Sequence, residues 1–290
     1  MDLDCHGITD RGQARETNED QFLVAELERA LYVQRTSLPL AGQVELRGPA
    51  FAQLLAVADG VGGSSGGERA SHLAVRTVLR YALDTLPWCV RLDPRHDDDL
   101  VEELQFCLRR AQARLREEGQ RDPARSRMAT TLTMAFVVWP RVWVLHVGDS
   151  RCYHLHRGAL HQVTVDHTVA QELASQGAIS DSAARRSRWR DVLWNTVGAG
   201  EQEMDPRVHC VDLEPGDALL LCTDGVTKHV EDEELREVLA SGDAARLACE
   251  RLVALANQRG GSDNITCVVV RVPMGEPSGP VRLARPATSP

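Results

Sequence analysis

Two apolar runs of this 290-residue chain end in the same way. The stretches "LLAVADG" (Leu54–Gly60) and "LLLCTDG" (Leu219–Gly225) are both typical of a buried strand that stops at Asp-Gly. Asp-Gly is a common hairpin turn, because both residues tolerate positive φ. A hairpin needs a second strand directly after the turn, however, and each run is followed instead by a polar link and a helical pattern. A plain turn remains an alternative for either site alone, but the pair favours two strands that each end on a carboxylate.

The order of the remaining patterns indicates a layered fold. The predicted strands are Cys5–Thr9, Asp20–Glu26, Leu31–Arg35, Leu54–Ala58, Thr130–Val138, Arg141–Gly158, "RVHCVDL", "DALLLCTDG" and Asn264–Val272. The predicted helices are Glu68–Leu86, Asp99–Glu118, His167–Gln176, Glu231–Ala240 and Ala244–Arg259. This order lacks the strict alternation of a parallel sheet. It predicts an α+β fold in which two antiparallel sheets pack together and helices cover the outside, an αββα sandwich of four layers.

One domain accounts for most of the chain. We expect it to cover residues 1–272, with a turn at Trp139-Pro140 and a polar, arginine-rich surface flap at about 167–191. The tail 273–290 is rich in Pro, Gly and Ser, a composition typical of disorder.

Composition excludes several classes of function. The net charge of −9 argues against nonspecific nucleic-acid binding, which needs a basic face. The eight cysteines include no C-x-x-C pair, and Cys222 and Cys267 lie in apolar runs, so we expect reduced, buried thiols. No apolar run approaches the ~20 residues of a membrane span, and the first residues lack a signal-peptide pattern. The sequence therefore predicts a cytoplasmic protein without nucleic-acid or membrane partners.

Five acids share one kind of position in the predicted fold. Asp59, Asp149 and Asp224 end strands, Asp263 precedes the last strand, and Asp20 opens an early one. Each acid alone is as well explained by a turn or a cap. Together they predict a cluster at one edge of the sheets, where mutual repulsion requires cations. Mg²⁺ and Mn²⁺ prefer such oxygen ligands, and a glycine after Asp59 and Asp224 would let a backbone carbonyl or water approach the metal.

Six motifs resemble those of a known family. They are, in order, "DRGQARETNEDQ", "AVADGVGG", "HVGDSRCYHL", "TVDHTVAQEL", "CTDGV" and "GGSDNITCVVV". Each motif is weak alone, but their order and spacing are similar to the metal-dependent serine/threonine protein phosphatases of type 2C, the PPM family, in its bacterial form. The resemblance covers residues 5–272 and implies a β-sandwich flanked by helices, with a two-metal centre at one edge.

The resemblance also implies roles for individual residues. Asp59 would bridge two Mn²⁺ or Mg²⁺ ions, and the Gly60 carbonyl would bind one of them. Asp224 and Asp263 would hold the other, with Asp20 nearby. Further implied roles are a third, weaker metal at Asp149 with Asp224, a water contact for Glu19, a phosphate contact for Arg15 and orientation of Asp263 by Asn264.

Two positions depart from other members of the family. Val61 stands where eukaryotic members often have a histidine that is thought to protonate the leaving group, which leaves the general acid unassigned. Lys228, the only lysine of the chain, stands where animal members have another acid for a third metal. His6, His146, His154, His156 and His161 lie in strand patterns, and structural roles are expected for them.

The predicted function is hydrolysis of phosphoserine and phosphothreonine in proteins by a metal-activated water, in signalling that opposes a cognate kinase. An alternative is a pseudophosphatase that binds phosphoproteins without hydrolysis. A third hypothesis, a cation sensor, is disfavoured because Arg15 supplies a phosphate contact that a sensor does not need. The arginines of the flap are expected to be solvated rather than bound to a phosphopeptide.

Overall fold

The structure is a computed structural model that describes residues 3–28, 30–33, 44–47, 51–62, 66–84 and 97–275. The predicted strand over Leu31–Arg35 lies partly within these ranges. Most of the predicted loop between the first two helices lies outside them, and so does the predicted disordered tail beyond Gly275.

The elements follow the predicted order closely. Within the described residues the strands are β1 (Asp4–Asp10), β2 (Gln21–Leu27), β3 (Ala30–Val33), β4 (Val44–Arg47), β5 (Ala52–Ala58), β6 (Gly60–Val61), β7 (Ala129–Thr130), β8 (Leu132–Val138), β9 (Arg141–Val147), β10 (Arg151–His156), β11 (Ala159–Gln162), β12 (Val197–Gly198), β13 (Arg207–Asp212), β14 (Ala218–Cys222) and β15 (Ile265–Arg271). The helices there are α1 (Gly66–Asp84), α2 (Asp97–Arg121), α3 (Val169–Ser175), α4 (Asp181–Arg185), α5 (Asp224–Thr227), α6 (Asp232–Ala240) and α7 (Ala245–Gln258).

Two five-stranded antiparallel sheets form the centre of the molecule. The first sheet has the strand order β1-β15-β14-β10-β11, and the second has the order β13-β9-β8-β5-β2. Two smaller sheets, β12-β7-β6 and β3-β4, complete the pairing of the described strands. The predicted antiparallel architecture is confirmed.

Strand β5 shows why the central runs are apolar throughout. Leu55 and Val57 pack in the core between the two sheets. Leu54 and Ala56, on the opposite face, pack against helices on the outside of the second sheet. Because side chains alternate between the faces of a strand, a strand that is covered on both sides reads as an unbroken hydrophobic run.

Helices cover the outer face of each sheet. Helices α1 and α2 supply buried residues to the core outside the second sheet, and α6 and α7 do the same outside the first. The predicted stripe of α1 is buried as expected from its helical spacing, including Leu73, Ala74 and Val78. With the inter-sheet core between them, these layers give the predicted four-layer αββα sandwich. Among the described residues, no helix combines the length and the apolar character that crossing a membrane requires.

The strand pattern over Arg141–Gly158 contains two strands, in line with the expected end of a strand at Asp149. The structure divides it into β9, which belongs to the second sheet, and β10, which belongs to the first. The chain crosses between the sheets at Gly148, whose φ of 110° favours glycine. Asp149, the next residue, therefore lies at the crossing from one sheet to the other.

The segment after β11 has more regular structure than predicted. Helix α3 begins after Thr168, whose hydroxyl accepts a hydrogen bond from the N–H of Gln171 at 3.2 Å. The predicted flap, about 167–191, thus includes α3 and also the short helix α4, which Ser180 caps in the same way. Its arginines are exposed, in agreement with the predicted solvated surface: Arg185, Arg186, Arg188 and Arg190.

Candidate metal and phosphate site

Neither Asp-Gly pair forms a hairpin turn. Asp59 ends the run of β5 and Gly60 opens the short strand β6, whereas Asp224 and Gly225 begin helix α5. A Cβ atom at Gly225 would lie 1.9 Å from the carbonyl oxygen of Asn264, and one at Gly60 would lie 2.4 Å from the carbonyl of Gly67. The turn interpretation is therefore wrong, and close approach of backbone to backbone is what requires each glycine.

The five predicted acids come from both sheets and meet at one edge. Asp20 and Asp59 flank β2 and β5 of the second sheet, Asp224 and Asp263 flank β14 and β15 of the first, and Asp149 lies at the crossing. Burial is the main cause that raises the pKa of Asp59 well above its ordinary value, and the charges of the other four acids raise it further. We call these five residues the acid edge.

Asp20 is the most enclosed member of the acid edge. Its side chain is buried, and its Oδ2 accepts a hydrogen bond from the Thr223 hydroxyl at 2.8 Å. Its Oδ1 is buried without a hydrogen-bond partner. Burial raises the pKa of Asp20 to about 7. Hydrogen bonds from Thr266 and Thr223 lower the pKa, but the nearby charge of Asp224 raises it as well. This carboxylate thus has room for one more positive partner.

Asp59 is held by its backbone. Its N–H donates to the Thr131 hydroxyl at 3.0 Å, and its carbonyl accepts from the Thr131 N–H at 2.9 Å and from the Thr130 hydroxyl at 2.8 Å. These bonds fix the end of β5 and leave the carboxylate for another role. The motifs of the sequence do not identify Thr130 and Thr131 as part of the site.

Asp224 and Lys228 form an ion pair one turn apart. The Lys228 ammonium lies 2.5 Å from Asp224 Oδ2, at the i,i+4 spacing of neighbouring side chains on a helix. Asp224 Oδ1, like the equivalent atom of Asp20, is buried without a hydrogen-bond partner. Burial raises the pKa of Asp224 despite the lysine, and the charge of Asp263 adds to this effect.

Asp263 is the best-neutralised acid of the edge. Its Oδ1 lies 2.8 Å from Arg15 Nε, and its Oδ2 accepts from Arg15 Nη2 at 2.9 Å and from the Lys228 ammonium at 2.8 Å. Burial alone would raise its pKa, but the hydrogen bonds from Lys228 and Arg15 outweigh burial and lower the pKa below its ordinary value. Arg15 thus lies beside the acid edge, with a side chain that is 55% exposed.

Lys228 is a member of this site that the acidic motifs do not identify. It stands where animal members of the family have an acid, and in the structure its ammonium bridges Asp224 and Asp263. The signal was present in the composition, because the chain has 33 basic residues and this is its only lysine. An ammonium is a compact point charge, which suits a position between two carboxylates better than a planar guanidinium does.

Asp149 also belongs to the cluster. It is 8% exposed. Burial raises its pKa well above the ordinary value, and the charges of Asp224 and Asp166 raise it further, against the opposing charge of Lys228. Asp149 is thus close enough to Asp224 for their charges to interact, and its role at a third metal stays a prediction.

Asn264 organises the loop that carries Glu19 and Arg15. Its side-chain amide donates to the carbonyls of Arg11 and Thr17 at 2.9 Å each, and its Oδ1 accepts from the Glu19 N–H at 2.9 Å. Its backbone N–H donates to Asp263 Oδ1 at 3.0 Å. The backbone of Asn264 thus contacts Asp263, while the side chain of Asn264 fixes the loop.

Glu19 lies where the loop meets helix α1. Its carbonyl accepts a hydrogen bond from the Ser71 hydroxyl at 2.6 Å, and a Cβ atom on Gly67 would lie 2.3 Å from Glu19 Oε2. Burial raises its pKa, while the charge of Arg15 lowers it. Its carboxylate therefore lies between the first turn of α1 and the acid edge.

Among the strand histidines, His146 has the contacts of a structural residue. His146 is buried, with Nδ1 2.9 Å from the Thr133 hydroxyl and Nε2 3.1 Å from the Val165 carbonyl oxygen. Burial lowers the pKa of His146 to about 3, so the ring is neutral at neutral pH. The buried thiols are equally inert, since burial raises the pKa of Cys222 to about 12.

The donor set of the acid edge fits hard divalent cations. Its ligands are oxygen atoms of carboxylates, the kind that Mg²⁺ and Mn²⁺ prefer. Two buried oxygens, Asp20 Oδ1 and Asp224 Oδ1, have no hydrogen-bond partner. Leaving a buried polar atom unpaired costs about 1–3 kcal/mol, and five crowded acids repel one another. Cations at this edge remove both costs.

Comparison with known proteins supports this assignment. Residues 46–267 match the family model described as protein phosphatase 2C. The serine/threonine protein phosphatase PstP of Mycobacterium tuberculosis is 34% identical over 223 residues, which are 77% of this chain and 41% of PstP. The serine/threonine phosphatase stp of Listeria monocytogenes is 31% identical over 267 residues, 90% of this chain and 93% of stp.

A solved structure shows the same fold. The catalytic domain of PstP, crystallised in complex with two manganese ions, superposes with a TM-score of 0.72 at 29% sequence identity, over 93% of this chain and 98% of that one. This chain spans less than half of the full length of PstP but nearly all of its catalytic domain and of stp. The fold, the order of the acids and these matches show that the chain belongs to the protein phosphatase 2C family.

Proposed function

We propose that this chain is an active, metal-dependent phosphatase that hydrolyses phosphoserine and phosphothreonine in proteins. The observation that carries the proposal is the acid edge itself, with two partnerless buried oxygens and an exposed arginine directly beside it. The names of PstP and stp, both serine/threonine phosphatases, support the same substrate class.

Two Mn²⁺ or Mg²⁺ ions are the proposed cofactors. Asp59 would contact both, the Gly60 carbonyl one of them, and Asp224 and Asp263 the other, with Asp20 nearby. The PstP catalytic domain, described with two manganese ions, supports the number two. A third, weaker ion would use Asp149 with Asp224. When bound, such ions polarise a phosphoryl group and acidify a water molecule for attack on phosphorus.

Arg15 is the proposed phosphate contact. Its Nε and Nη2 lie 2.8 and 2.9 Å from the two oxygens of the Asp263 carboxylate. The guanidinium therefore makes the bidentate contact that it can also make with a phosphate. Because the side chain is 55% exposed, an incoming phosphate reaches it from solvent. Lys228 would still neutralise Asp263 when Arg15 binds the substrate phosphate.

The attacking group in this proposal is water rather than a side chain. Burial raises the pKa of the Cys152 and Cys222 thiols and keeps them protonated. Ser150 is buried, with its hydroxyl 2.7 Å from the hydroxyl of Thr131. Glu19, beside Arg15, would hold a water at the entrance to the acid edge. Val61 has no proton to give, so this position supplies no general acid for the leaving alcohol.

The proposed partners are phosphoproteins, together with a cognate serine/threonine kinase that supplies them. The alternative is a pseudophosphatase that binds such proteins without hydrolysis. The presence of Asp20, Asp59, Asp224 and Asp263 at one edge favours hydrolysis, because a binding module has no need of a cation site. A cation sensor is disfavoured by Arg15.

Hydrolysis by metal-stripped protein tests the proposal. A chromogenic aryl phosphate and phosphoserine peptides would be assayed while Mn²⁺ is added back to wild type, to Asp224→Ala and to Asp99→Asn, an exposed control on α2. We expect turnover that depends on Mn²⁺ in wild type and the control and that collapses in Asp224→Ala. Mn²⁺ binding by wild type without turnover of either substrate would favour the pseudophosphatase instead.

A further inference from the structure

A second cluster of metal-ligating side chains lies at the other end of the strands that carry Asp149 and Asp224. Strands β10 and β14 are antiparallel, with Arg151 opposite Cys222 near the acid edge and Leu155 opposite Ala218 at the far end. His154 and His156 lie at this far end of β10. Asp217 directly precedes β14, so the pairing of the two strands brings it beside both histidines.

The geometry of this cluster is compact. His154 Nε2 lies 2.8 Å from Asp217 Oδ2, and His156 Nδ1 lies 3.1 Å from each Asp217 oxygen. One ligand atom from each residue lies within 4.8 Å of the other two. His154 and Asp217 are buried at 7% and 3% exposure, and His156 is half-buried. The cluster is thus enclosed on one side and open to solvent through His156.

The backbone around Asp217 holds its carboxylate in place. The Glu214 N–H donates to Asp217 Oδ2 at 2.9 Å, and the Val272 N–H donates to the Asp217 carbonyl at 2.9 Å. A carboxylate that keeps such a bond while it binds a metal is oriented by it. The two imidazoles are oriented by the strand, since residues i and i+2 point to the same face.

We propose that His154, His156 and Asp217 form a binding site for a borderline divalent cation, Zn²⁺ in the first place. Two imidazoles and one carboxylate are a common protein ligand set of zinc, with the fourth position taken by water. Hydrogen bonds alone also explain the contacts, but they do not require two histidines on one buried acid that already accepts a backbone N–H. The acid edge offers oxygen ligands only, so the two ends of the strand pair select different metals.

The consequence of binding is structural. The ion would tie the end of β10 to the turn that precedes β14 and, through Asp217, to the end of β15. These elements close the far end of the core between the sheets, where Leu213 and Val272 are buried. A bound ion would therefore stabilise this end without contact to the acid edge.

Calorimetry with Zn²⁺ on the full chain, preloaded with Mn²⁺, tests the proposal. Wild type would be compared with His156→Gln, with Asp217→Asn and with His72→Gln, a control that removes an exposed histidine of α1. We expect a Zn²⁺ site of one equivalent in wild type and the control. In the two cluster variants its affinity falls at least about tenfold, since loss of even an outer partner of a ligand costs about 10–100-fold.

Two further readouts keep the result interpretable. Turnover of aryl phosphate with Mn²⁺ shows that each variant is folded, and it reports separately any displacement of Mn²⁺ at the acid edge. Thermal unfolding shows whether Zn²⁺ raises the midpoint in wild type and not in the variants. Equal Zn²⁺ affinity and stoichiometry in folded cluster variants and wild type would overturn the proposal. A wild type that takes up Zn²⁺ only in exchange for Mn²⁺ would overturn it as well.

Discussion

The two ends of the β10–β14 strand pair both carry buried carboxylates, but they balance the charge in opposite ways. At the far end, the single acid Asp217 accepts hydrogen bonds from two histidines and from the Glu214 N–H. At the acid edge, five acids meet two basic side chains, Arg15 and Lys228, and two buried carboxylate oxygens have no hydrogen-bond partner. At the first end the buried carboxylate already has protein partners on both oxygens, whereas at the second end Asp20 Oδ1 and Asp224 Oδ1 have none.

This difference separates a buried acid that has partners from a group of buried acids that lacks them. A buried charge that has partners contributes to stability or costs little, whereas an unpaired one costs free energy that the rest of the fold must offset. A surplus of buried acids is therefore an indication of function rather than of stability. The predictions below test this contrast, from the largest expected effect to the smallest.

The same substitution at the two ends should have opposite consequences. Asp59→Asn removes a carboxylate proposed to contact both cations, and several kcal/mol of transition-state stabilisation correspond to a loss of about 10³-fold or more in kcat. Asp217→Asn should leave kcat within about twofold but cost about 1–3 kcal/mol of unfolding free energy, because a buried acceptor is weakened. Aryl phosphate kinetics and urea denaturation measure the two quantities. A large loss of kcat in Asp217→Asn would remove the contrast.

Gly225, which follows Asp224, and Gly216, which precedes Asp217, provide a second comparison between the two ends. Gly225→Ala forces a Cβ atom to within 1.9 Å of the Asn264 carbonyl oxygen, a backbone atom that cannot move freely. We expect a loss of about 3 kcal/mol in unfolding free energy. Gly216→Ala meets the flexible Met274 side chain at 2.9 Å and a φ of 90°, for which a cost of about 1–2 kcal/mol is expected. Urea denaturation measures both values. Equal losses of unfolding free energy in Gly225→Ala and Gly216→Ala would contradict the packing role of Gly225.

Replacement of Lys228, the only lysine, tests how much its charge contributes at the acid edge. In Lys228→Met, Asp224 and Asp263 lose the ammonium that they share, so Mn²⁺ should bind more tightly, by about tenfold or 1.4 kcal/mol. The metal-free variant should unfold at a lower temperature, because Asp224 and Asp263 then repel each other and only Arg15, on Asp263, offsets their charge. Calorimetry and thermal unfolding in chelator measure these effects, and Lys228→Arg, which keeps the charge, is the control. Weaker Mn²⁺ binding in Lys228→Met would instead mean that the lysine assists the cation.

The smallest expected effect on the metal-loaded protein is a pH dependence of stability, because it is expected only in the metal-free state. Burial raises the pKa of Asp20 from 3.8 to about 7, so the folded state favours the protonated form. The contribution of this group to stability is present below about pH 4 and is lost as the pH rises through about 7. In chelator, wild type should therefore lose stability relative to Asp20→Asn between these pH values, and excess Mn²⁺ should reverse the loss. A difference that does not change with pH would show that Asp20 is ionised throughout.

The sequence predicted the elements better than their partners. The unbroken apolar runs of β5 and β14 are local signals, and so is an acid at the end of each. The separation of β9 from β10 at Gly148 is not local, because it depends on which distant strands each one pairs with. Short strands such as β6 and β12 lack a pattern long enough to detect.

The site shows the same division. The identities of Asp20, Asp59, Asp149, Asp224 and Asp263 followed from motifs, and the structure brings all five to one edge. The contacts of Lys228 and Asn264 did not follow, since each bridges segments that are far apart in the chain, as in the bond between Asn264 and the Arg11 carbonyl. The reason for Gly225 was also hidden, because the atom it avoids belongs to residue 264.

Anomalous X-ray diffraction from crystals grown in Mn²⁺ tests the central claim most directly. We predict manganese peaks at the acid edge, in contact with Asp59 and Asp224, and a Lys228 ammonium displaced from at least one of its two carboxylates. Occupied manganese positions elsewhere, with the acid edge still closed by Lys228 and Arg15, would contradict the account.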